Sequence, residues 1–303
     1  MIEIKLQATL SGHQNPIFTV ENSQKPGILF TAGDDKGVVE WSLKTMSFIK
    51  VMFPVKSSVY SLHCPVEAPI LIAGERNGQA NVFNFKEQKI THILQHHKLP
   101  VFDIKTVRSK NELLLSSEDG TVSVWDLQTM QMLYDFKVSK NTVRVISISP
   151  DEKNVAFGCK DNIIRIYRLV DYSLTSELKE HSLPVTSLQF SPDGKYLLSG
   201  SRDAQLKIWS TSDFTLHDNV AAHLFSIYTI AFHPELPYFA TASRDKSIKI
   251  WDTENFALLK TLSSEKGYEM HRLSVNKIIW DTENRLISAG DDKLLKVWTV
   301  LFE

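Results

Sequence analysis

A histidine, a serine and an aspartate lie at fixed spacing in the middle of the chain. His181 precedes Ser199 by 18 residues, Asp203 follows 4 residues later, and Trp209 follows after 6 more. Histidine, hydroxyl and carboxylate are the groups of an acyl-transfer triad, in which the histidine takes the proton of the nucleophile. The same groups, with an indole N–H as a further donor, can also satisfy one another in a structural network.

Repetition of the set decides between these two interpretations. An active site occurs once in a domain, whereas this set occurs four times. The four sets are His13, Thr31, Asp35 and Trp41; His181, Ser199, Asp203 and Trp209; His223, Thr241, Asp245 and Trp251; and His271, Ser288, Asp292 and Trp298. We therefore interpret them as hydrogen-bond networks that satisfy buried polar groups, and we predict no catalytic residue and no enzymatic activity.

Short strands must position these residues. Apolar and polar residues alternate over four short segments in each repeat, which we name strands a to d in chain order. An aromatic anchor near the end of strand c recurs every 42 residues and, at the last step, after 47. The anchors are Trp41, Phe83, Trp125, Tyr167, Trp209, Trp251 and Trp298. Because a repeat of this size cannot bury a core alone, we predict one all-β domain over residues 1–303.

The two ends of the sequence have complementary strand patterns. The seventh repeat has no strand d after Trp298, whereas residues 4–10 have the pattern of a strand d just before His13. We predict that this N-terminal strand pairs with the strand around Val297. Such pairing closes a ring and removes two open sheet edges.

Four short motifs in the chain resemble those of a known family. Gly12-His13, the Ser-Pro-Asp-Gly run at 191–194, and the aromatic-Asp pairs at Trp125 and Trp251 are similar to the WD40 repeat. The resemblance covers essentially the whole chain. It implies a seven-bladed β-propeller with four antiparallel strands per blade, closed by the N-terminal strand, and it implies that the four networks are the family's blade-stabilising tetrads.

Three repeats depart from the tetrad. Repeat three has His97, Asp119 and Trp125 but Leu115 at the hydroxyl position, so either Ser116 or Ser117 substitutes or the network is cut. Repeats two and four cannot form the four-residue network. Their residues at these positions are Val55, Ala73, Asn77 and Phe83, and Ser139, Phe157, Asp161 and Tyr167. We expect blades two to four to be the less stable half.

Composition and charge exclude several classes of protein. A net charge of -1 gives no global attraction to nucleic acid, no apolar segment reaches the length of a membrane span, and no metal or cofactor motif is present. Cys64 and Cys159 lie at different points of their repeats, and the N-terminus lacks a signal-peptide pattern. We therefore expect reduced thiols, no metal, no cofactor and a cytoplasmic protein.

The resemblance also implies a binding surface. In this family, proteins usually bind on the face made by the d-to-a loops and the b-to-c turns, here called the upper face; the a-to-b loops and c-to-d turns make the lower face. Near the start of each strand a, the residues expected on the upper face are Phe18, Tyr60, Phe102, Arg144, Thr186, Tyr228 and Asn276. The residues that precede each turn Asp or Asn are Asp34, Arg76, Glu118, Lys160, Arg202, Arg244 and Asp291.

These positions predict an aromatic arc beside a basic arc. Such a surface suits a protein or peptide partner, and an acidic or phosphorylated element fits the cations. The loop at 263–270, which is longer than its counterparts, lies on the same face and is either a specificity loop or a tolerated insertion. We predict a non-catalytic interaction scaffold; the alternatives are a propeller enzyme with a site in the central channel, and an RNA-binding propeller.

Overall fold

The computed structural model describes residues 2–302 as strands joined by short loops, with two 3-10 turns at Arg108–Lys110 and Ser264–Lys266. Met1 and Glu303, the ends of the predicted domain, lie outside the described residues. The strands are β1 (Ile2–Leu10), β2 (Ile17–Asn22), β3 (Ile28–Gly33), β4 (Gly37–Ser42), β5 (Ser47–Pro54), β6 (Val59–His63), β7 (Ile70–Glu75), β8 (Gln79–Asn84), β9 (Lys89–Gln95), β10 (Val101–Val107), β11 (Glu112–Ser117), β12 (Thr121–Asp126), β13 (Met132–Lys137), β14 (Val143–Ile148), β15 (Asn154–Cys159), β16 (Ile164–Arg168), β17 (Leu174–Leu178), β18 (Val185–Phe190), β19 (Tyr196–Ser201), β20 (Gln205–Ser210), β21 (Leu216–Ala221), β22 (Ile227–Phe232), β23 (Tyr238–Ser243), β24 (Ile248–Asp252), β25 (Leu258–Leu262), β26 (Val275–Trp280), β27 (Arg285–Gly290) and β28 (Leu295–Phe302).

The strands form seven antiparallel four-stranded sheets, which confirms the predicted all-β propeller. Blades one to six are β2–β5, β6–β9, β10–β13, β14–β17, β18–β21 and β22–β25, and blade seven has the order β1-β28-β27-β26. Strand a of each blade contacts strand a of the next, and β26 contacts β2, so the seven sheets make a closed ring.

The N-terminal strand closes the ring as the sequence predicts. β1 pairs antiparallel with β28 from Ile2 opposite Phe302 to Leu10 opposite Leu295, with a bulge between Leu6 and Ala8. Ile4 and Leu10 are each 5% exposed, so this strand contributes side chains to the core as well as backbone hydrogen bonds.

The hydrophobic core lies between the blades. Each of seven buried clusters among the described residues joins two adjacent sheets. Trp298, for example, is fully buried in the cluster that joins blades six and seven. Strand d is outermost and the most exposed, as in β5 and β21. Because no blade buries its own core, the ring stabilises all seven blades together.

Removal of residues 2–10 is expected to lower the midpoint of thermal unfolding by about 10 °C or more. The deletion exposes the edge of β28 and removes the buried side chains of Ile4 and Leu10, each of which contributes about 1.5–3 kcal/mol. Calorimetry would measure the shift. Lys5→Ala, which changes an exposed side chain of the same strand, is the control. An unchanged midpoint in the truncated protein would contradict ring closure by β1.

Candidate functional site: the upper face and its channel

Four blades contain a hydrogen-bond chain of four side chains. In blade five the Trp209 indole donates to the Ser199 hydroxyl at 2.8 Å, the hydroxyl lies 2.8 Å from His181 Nε2, and His181 Nδ1 lies 2.9 Å from the Asp203 carboxylate. The equivalent distances in blades one, six and seven lie between 2.5 and 3.1 Å. Each side chain satisfies the next, and the histidines and hydroxyls are buried.

In blades five, six and seven the aspartate of the network also accepts hydrogen bonds from two backbone segments, whereas Asp35 in blade one accepts only the amide of Gln14 among the described backbone groups. Asp203 Oδ2 accepts a hydrogen bond from the amide of Ser182 at 3.0 Å, and its Oδ1 accepts one from the amide of Gln205 at 2.9 Å. Ser182 belongs to the d-to-a loop and Gln205 begins strand c. Asp245 makes the same contacts with Leu224 and Ser247. The carboxylate therefore fixes the loop and the turn of the upper face relative to the blade.

Electrostatics favours an ionised aspartate beside a neutral histidine. Burial of Asp203 would raise its pKa, but the hydrogen bond and charge of His181 and the amides of Gln205 and Ser182 together outweigh burial and lower the pKa to about 2. The same causes lower the pKa of Asp245 and Asp292. Burial lowers the pKa of His223, and its hydrogen bond to Asp245 opposes this only in part. A neutral imidazole with the proton on Nδ1 donates to the carboxylate and accepts the hydroxyl proton on Nε2.

Blade three contains a complete network through a serine that the sequence analysis missed. The hydroxyl of Ser123 lies 2.9 Å from both His97 Nε2 and Trp125 Nε1. The expected substitutes do not take part, because the Ser116 hydroxyl faces a carbonyl of β10 and the Ser117 hydroxyl donates to the Leu99 carbonyl.

Cross-strand pairing explains the replacement in blade three. Ser123 on β12 pairs directly with Leu115 on β11, the position that lacks its hydroxyl. In blade three the hydroxyl is therefore supplied by strand c instead of strand b. Both alternatives expected from the sequence are wrong: neither Ser116 nor Ser117 replaces the hydroxyl, and the network is not cut.

Blades two and four use the same strand-c position for different networks. Asn81 in blade two donates to Glu75, a fully buried carboxylate that also accepts the amide of Ser57 at 2.8 Å. Arg165 in blade four contacts both carboxylate oxygens of Asp161, at 2.9 and 3.0 Å. The two blades thus lack the four-residue tetrad, as expected, but their buried polar groups are paired.

All seven predicted strand-a residues lie at the same structural position and line one channel. Each is the extra residue of a β-bulge between strands a and b, where the register shifts by one. A bulge re-aims the side chain of its extra residue. The residues are Phe18, Tyr60, Phe102, Arg144, Thr186, Tyr228 and Asn276, and they surround a central cavity of about 320 Å³.

The aromatic and basic parts of this ring meet at Arg144. The rings of Phe18 and Tyr60 stack at 5.3 Å, Tyr60 and Phe102 follow at 5.1 Å, and the guanidinium of Arg144 lies 4.7 Å from the centre of the Phe102 ring. Burial and the charge of Arg202 lower the pKa of Arg144. Within residues 2–302, no carboxylate forms an ion pair with Arg144.

Two of the seven channel residues are already engaged by the protein. The hydroxyl of Thr186, which is only 6% exposed, donates to the Ile227 carbonyl, and the amide of Asn276 donates to Asp291 and to the Ile17 carbonyl. Both residues link neighbouring blades. Their side chains are therefore less accessible to a ligand than those of the aromatic arc and Arg144.

The predicted basic turn residues lie outside the channel. Arg76, Lys160, Arg202 and Arg244 are exposed, and none of them forms an ion pair with another described residue. Among the acidic turn residues, Asp34 accepts a hydrogen bond from Ser58, and Asp291 accepts one from Asn276. The upper face therefore presents unpaired cations next to a channel that contains Arg144.

The interior of the channel contains charged residues that the sequence analysis did not identify. Glu21, His63, Asp103, Lys105 and Lys277 lie near one another. Burial raises the pKa of Glu21, although the two lysines oppose the shift; burial and Lys105 lower the pKa of His63 to about 3. No group of three or more His, Cys, Asp or Glu side chains within residues 2–302 is placed to hold a metal ion.

The longer loop at 263–270 is held against blade seven. Lys296, 1% exposed, donates to Glu269 at 3.1 Å and to the Thr9 hydroxyl at 3.0 Å. Met270 is buried, and the ring of Tyr268 packs edge-on against Trp298.

Cys64 and Cys159 are buried free thiols. None of the helical turns among the described residues is a candidate for crossing a membrane.

Comparison with known families gives repeated matches along the chain. The model described as "WD domain, G-beta repeat" matches residues 4–42, 88–126, 130–168, 172–210, 214–252 and 262–299. The second repeat, in which Glu75 replaces the histidine network, falls outside these matches. The matched repeats cover well over half of the chain.

Three relatives are members of larger assemblies by their names. The chain is 27% identical over 156 residues to the COMPASS component SWD3 of Saccharomyces cerevisiae, which is 48% of this chain and 46% of that protein. It is 25% identical to the U5 small nuclear ribonucleoprotein 40 kDa protein of Dictyostelium discoideum (41% and 35% covered). It is 30% identical to the U3 small nucleolar RNA-associated protein 15 of Schizosaccharomyces pombe (35% and 22% covered). The matches span less than half the length of these relatives.

Ser123→Ala is expected to destabilise the protein by about 1–3 kcal/mol, because it leaves His97 and Trp125 without their shared partner. Ser116→Ala, at a site that is equally buried but outside the network, should cost less than about 1 kcal/mol. Urea unfolding of both variants measures the difference. Equal losses, or a larger loss for Ser116→Ala, would rule out the blade-three network through Ser123.

The free energy of unfolding is expected to fall as the pH decreases, in two ranges. Burial holds the pKa of His223 in the folded state below its ordinary value of 6.5. As the pH decreases below 6.5, the unfolded chain therefore takes up a proton at this residue before the folded chain does, and the free energy of unfolding falls. The stability that ionised Asp203 contributes is complete above 3.8 and is lost as the pH approaches about 2. Urea unfolding of Asp203→Asn should therefore show a weaker pH dependence between these last two values; an unchanged slope would contradict the assignment.

Proposed function

The chain belongs to the WD40 repeat family, and we propose that it is a non-catalytic scaffold that binds a protein or peptide partner on its upper face. The names of the relatives support a role in assemblies, since one is a component of COMPASS and another belongs to a ribonucleoprotein. A closed ring with a core between every pair of blades is a rigid support for such binding. The cytoplasmic location expected from the sequence stays a prediction.

One observation carries the proposed binding site: Arg144 lies inside the channel without a carboxylate partner among the described residues. Its guanidinium lies over the ring of Phe102, and burial together with the nearby positive charge of Arg202 lowers its pKa. A guanidinium remains charged in proteins and forms paired hydrogen bonds with carboxylate or phosphate. An anionic group at the channel mouth would therefore relieve an unfavourable accumulation of positive charge.

The adjoining aromatic arc predicts a second property of the partner segment. Phe18, Tyr60 and Phe102 form a continuous half-buried row of contacting rings directly beside Arg144. Aromatic and arginine side chains dominate the binding energy of many protein interfaces. We infer a partner segment that carries an acidic or phosphorylated residue next to an apolar one, with the charge toward Arg144 and Arg202 and the apolar side chain on the aromatic arc.

RNA is the second candidate ligand. Two relatives have RNA-associated names, and aromatic faces beside cations can stack bases and contact phosphates. Against this, the arc's rings already pack against one another, and Asp34, Glu118 and Asp291 interrupt the cations of the upper face. The peptide interpretation therefore has the stronger support, and RNA is included as an outcome of the test.

Affinity purification of the wild-type protein and of Tyr60→Ala/Arg202→Glu tests the proposed face. Partners that use this face should be reduced by about 30-fold, because loss of a hot-spot side chain costs about 2 kcal/mol or more. The matched control is Tyr134→Ala/Arg168→Glu, which changes an exposed tyrosine of an outer strand and an exposed arginine of the lower face. Thermal unfolding of both variants verifies that the ring is intact.

Three outcomes distinguish the candidates. Loss of protein partners from the upper-face variant, but not from the control, supports the proposal. Partners that remain bound to both variants would refute the assignment of the face. Partners that disappear after ribonuclease treatment, together with salt-dependent binding of single-stranded RNA to the purified protein, would replace the peptide with RNA.

A further inference from the structure

A second concave surface lies on the lower face, between blades five and six. This cleft has a volume of about 560 Å³ and is formed by the a-to-b loops of both blades and the c-to-d turn of blade six. It lies at the opposite end of the blades from the upper face. Its apolar wall contains Pro192, Tyr196, Phe232, Pro234, Leu236, Pro237 and Phe256.

Internal hydrogen bonds hold the loops around the cleft in one conformation. In blade five the Ser191 hydroxyl donates to Asp193 at 2.6 Å and accepts the amide of Tyr196 at 3.0 Å. In blade six the amide of Thr253 donates to the Pro237 carbonyl at 3.0 Å, which ties the c-to-d turn to the a-to-b loop. A preformed cleft loses little conformational entropy when a ligand binds.

Aromatic rings at the base of the cleft support one another. The ring of Tyr196 packs edge-on against Phe256 at 5.1 Å, and Phe232 contacts Phe239 at 5.4 Å. Phe256 is buried, whereas Tyr196 and Phe232 are half-buried and offer ring surface to a ligand. Such surface favours an apolar chain or a flat cation that stacks on it.

The charged residues of the cleft are predominantly acidic. Glu235 and Glu254 are exposed, and neither forms an ion pair with another residue of the described part of the chain. Asp193 contacts Lys195 at 3.4 Å, with half or more of each side chain exposed, so that pair is weak. Two carboxylates thus remain available beside an aromatic wall.

We propose that the lower cleft binds an arginine-containing peptide segment of a second partner protein. The methylene stem and flat guanidinium of an arginine can pack on Tyr196 and Phe232, while its N–H groups donate to Glu235 and Glu254. The lower cleft has unpaired carboxylates, whereas the upper face has unpaired cations. The propeller would then hold an acidic segment at one end and a basic segment at the other, and so bridge two proteins.

A random 12-residue peptide display library, selected on immobilised Tyr60→Ala/Arg202→Glu protein, provides the probe. The two substitutions suppress binding at the upper face. Enriched peptides, labelled with fluorescein, are then titrated by anisotropy against wild type, Glu235→Gln/Glu254→Gln, and the control Glu67→Gln/Glu87→Gln, which removes two carboxylates of blade two from the same face. Each peptide is also made with citrulline in place of arginine.

The proposal predicts arginine-containing peptides that lose about tenfold or more in affinity when Glu235 and Glu254 are changed, and a similar loss with citrulline. The blade-two control should bind as the wild type does. Since both carboxylates are exposed, thermal unfolding should be the same for all variants. Failure to enrich peptides over the bare support, or binding that is insensitive to Glu235→Gln/Glu254→Gln, would overturn the proposal and would leave the upper-face proposal unaffected.

Discussion

The carboxylate of the turn aspartate is the contact on which the upper face depends. In blade five, Asp203 accepts hydrogen bonds from the His181 ring, from the amide of Ser182 in the d-to-a loop and from the amide of Gln205 at the start of strand c. One side chain thereby joins the buried network to the two backbone segments that a partner would contact. The same arrangement in blades six and seven, and its loop contact alone in blade one, make the geometry of the upper face a consequence of how the blades are stabilised.

The remaining blades satisfy the same requirement with other residues. Where strand b carries Ala73, Leu115 or Phe157 in place of the hydroxyl, the cross-strand neighbour on strand c supplies a polar group, namely Asn81, Ser123 or Arg165. A buried polar position in a blade costs free energy unless it is paired, so replacement of one partner requires replacement of another nearby. The lower stability expected of blades two to four stays a prediction, and these substitute networks oppose it.

Residues that recur at a fixed offset along the chain could be predicted from the sequence. Contacts that depend on pairing between strands or on packing between blades could not. The anchors, the four complete tetrads and the closing strand follow from offsets along the chain. The role of Ser123 depends on its pairing with Leu115, which could have been found by reading strand c two residues before each aromatic anchor. The charged channel interior around Glu21 and Lys105, and the lower cleft near Glu235, arise where residues of different blades meet, and no spacing within one repeat signals them.

The central claim is that one carboxylate couples blade stability to the shape of the upper face, and native-state hydrogen exchange of Asp203→Ala tests it most directly. The amides of Ser182 and Gln205 should exchange at least about tenfold faster than in the wild type, because both lose their acceptor. The amides of Leu224 and Ser247, which bind Asp245 in the next blade, should keep their protection. Unchanged exchange at Ser182 and Gln205, or an equal increase in both blades, would contradict the account.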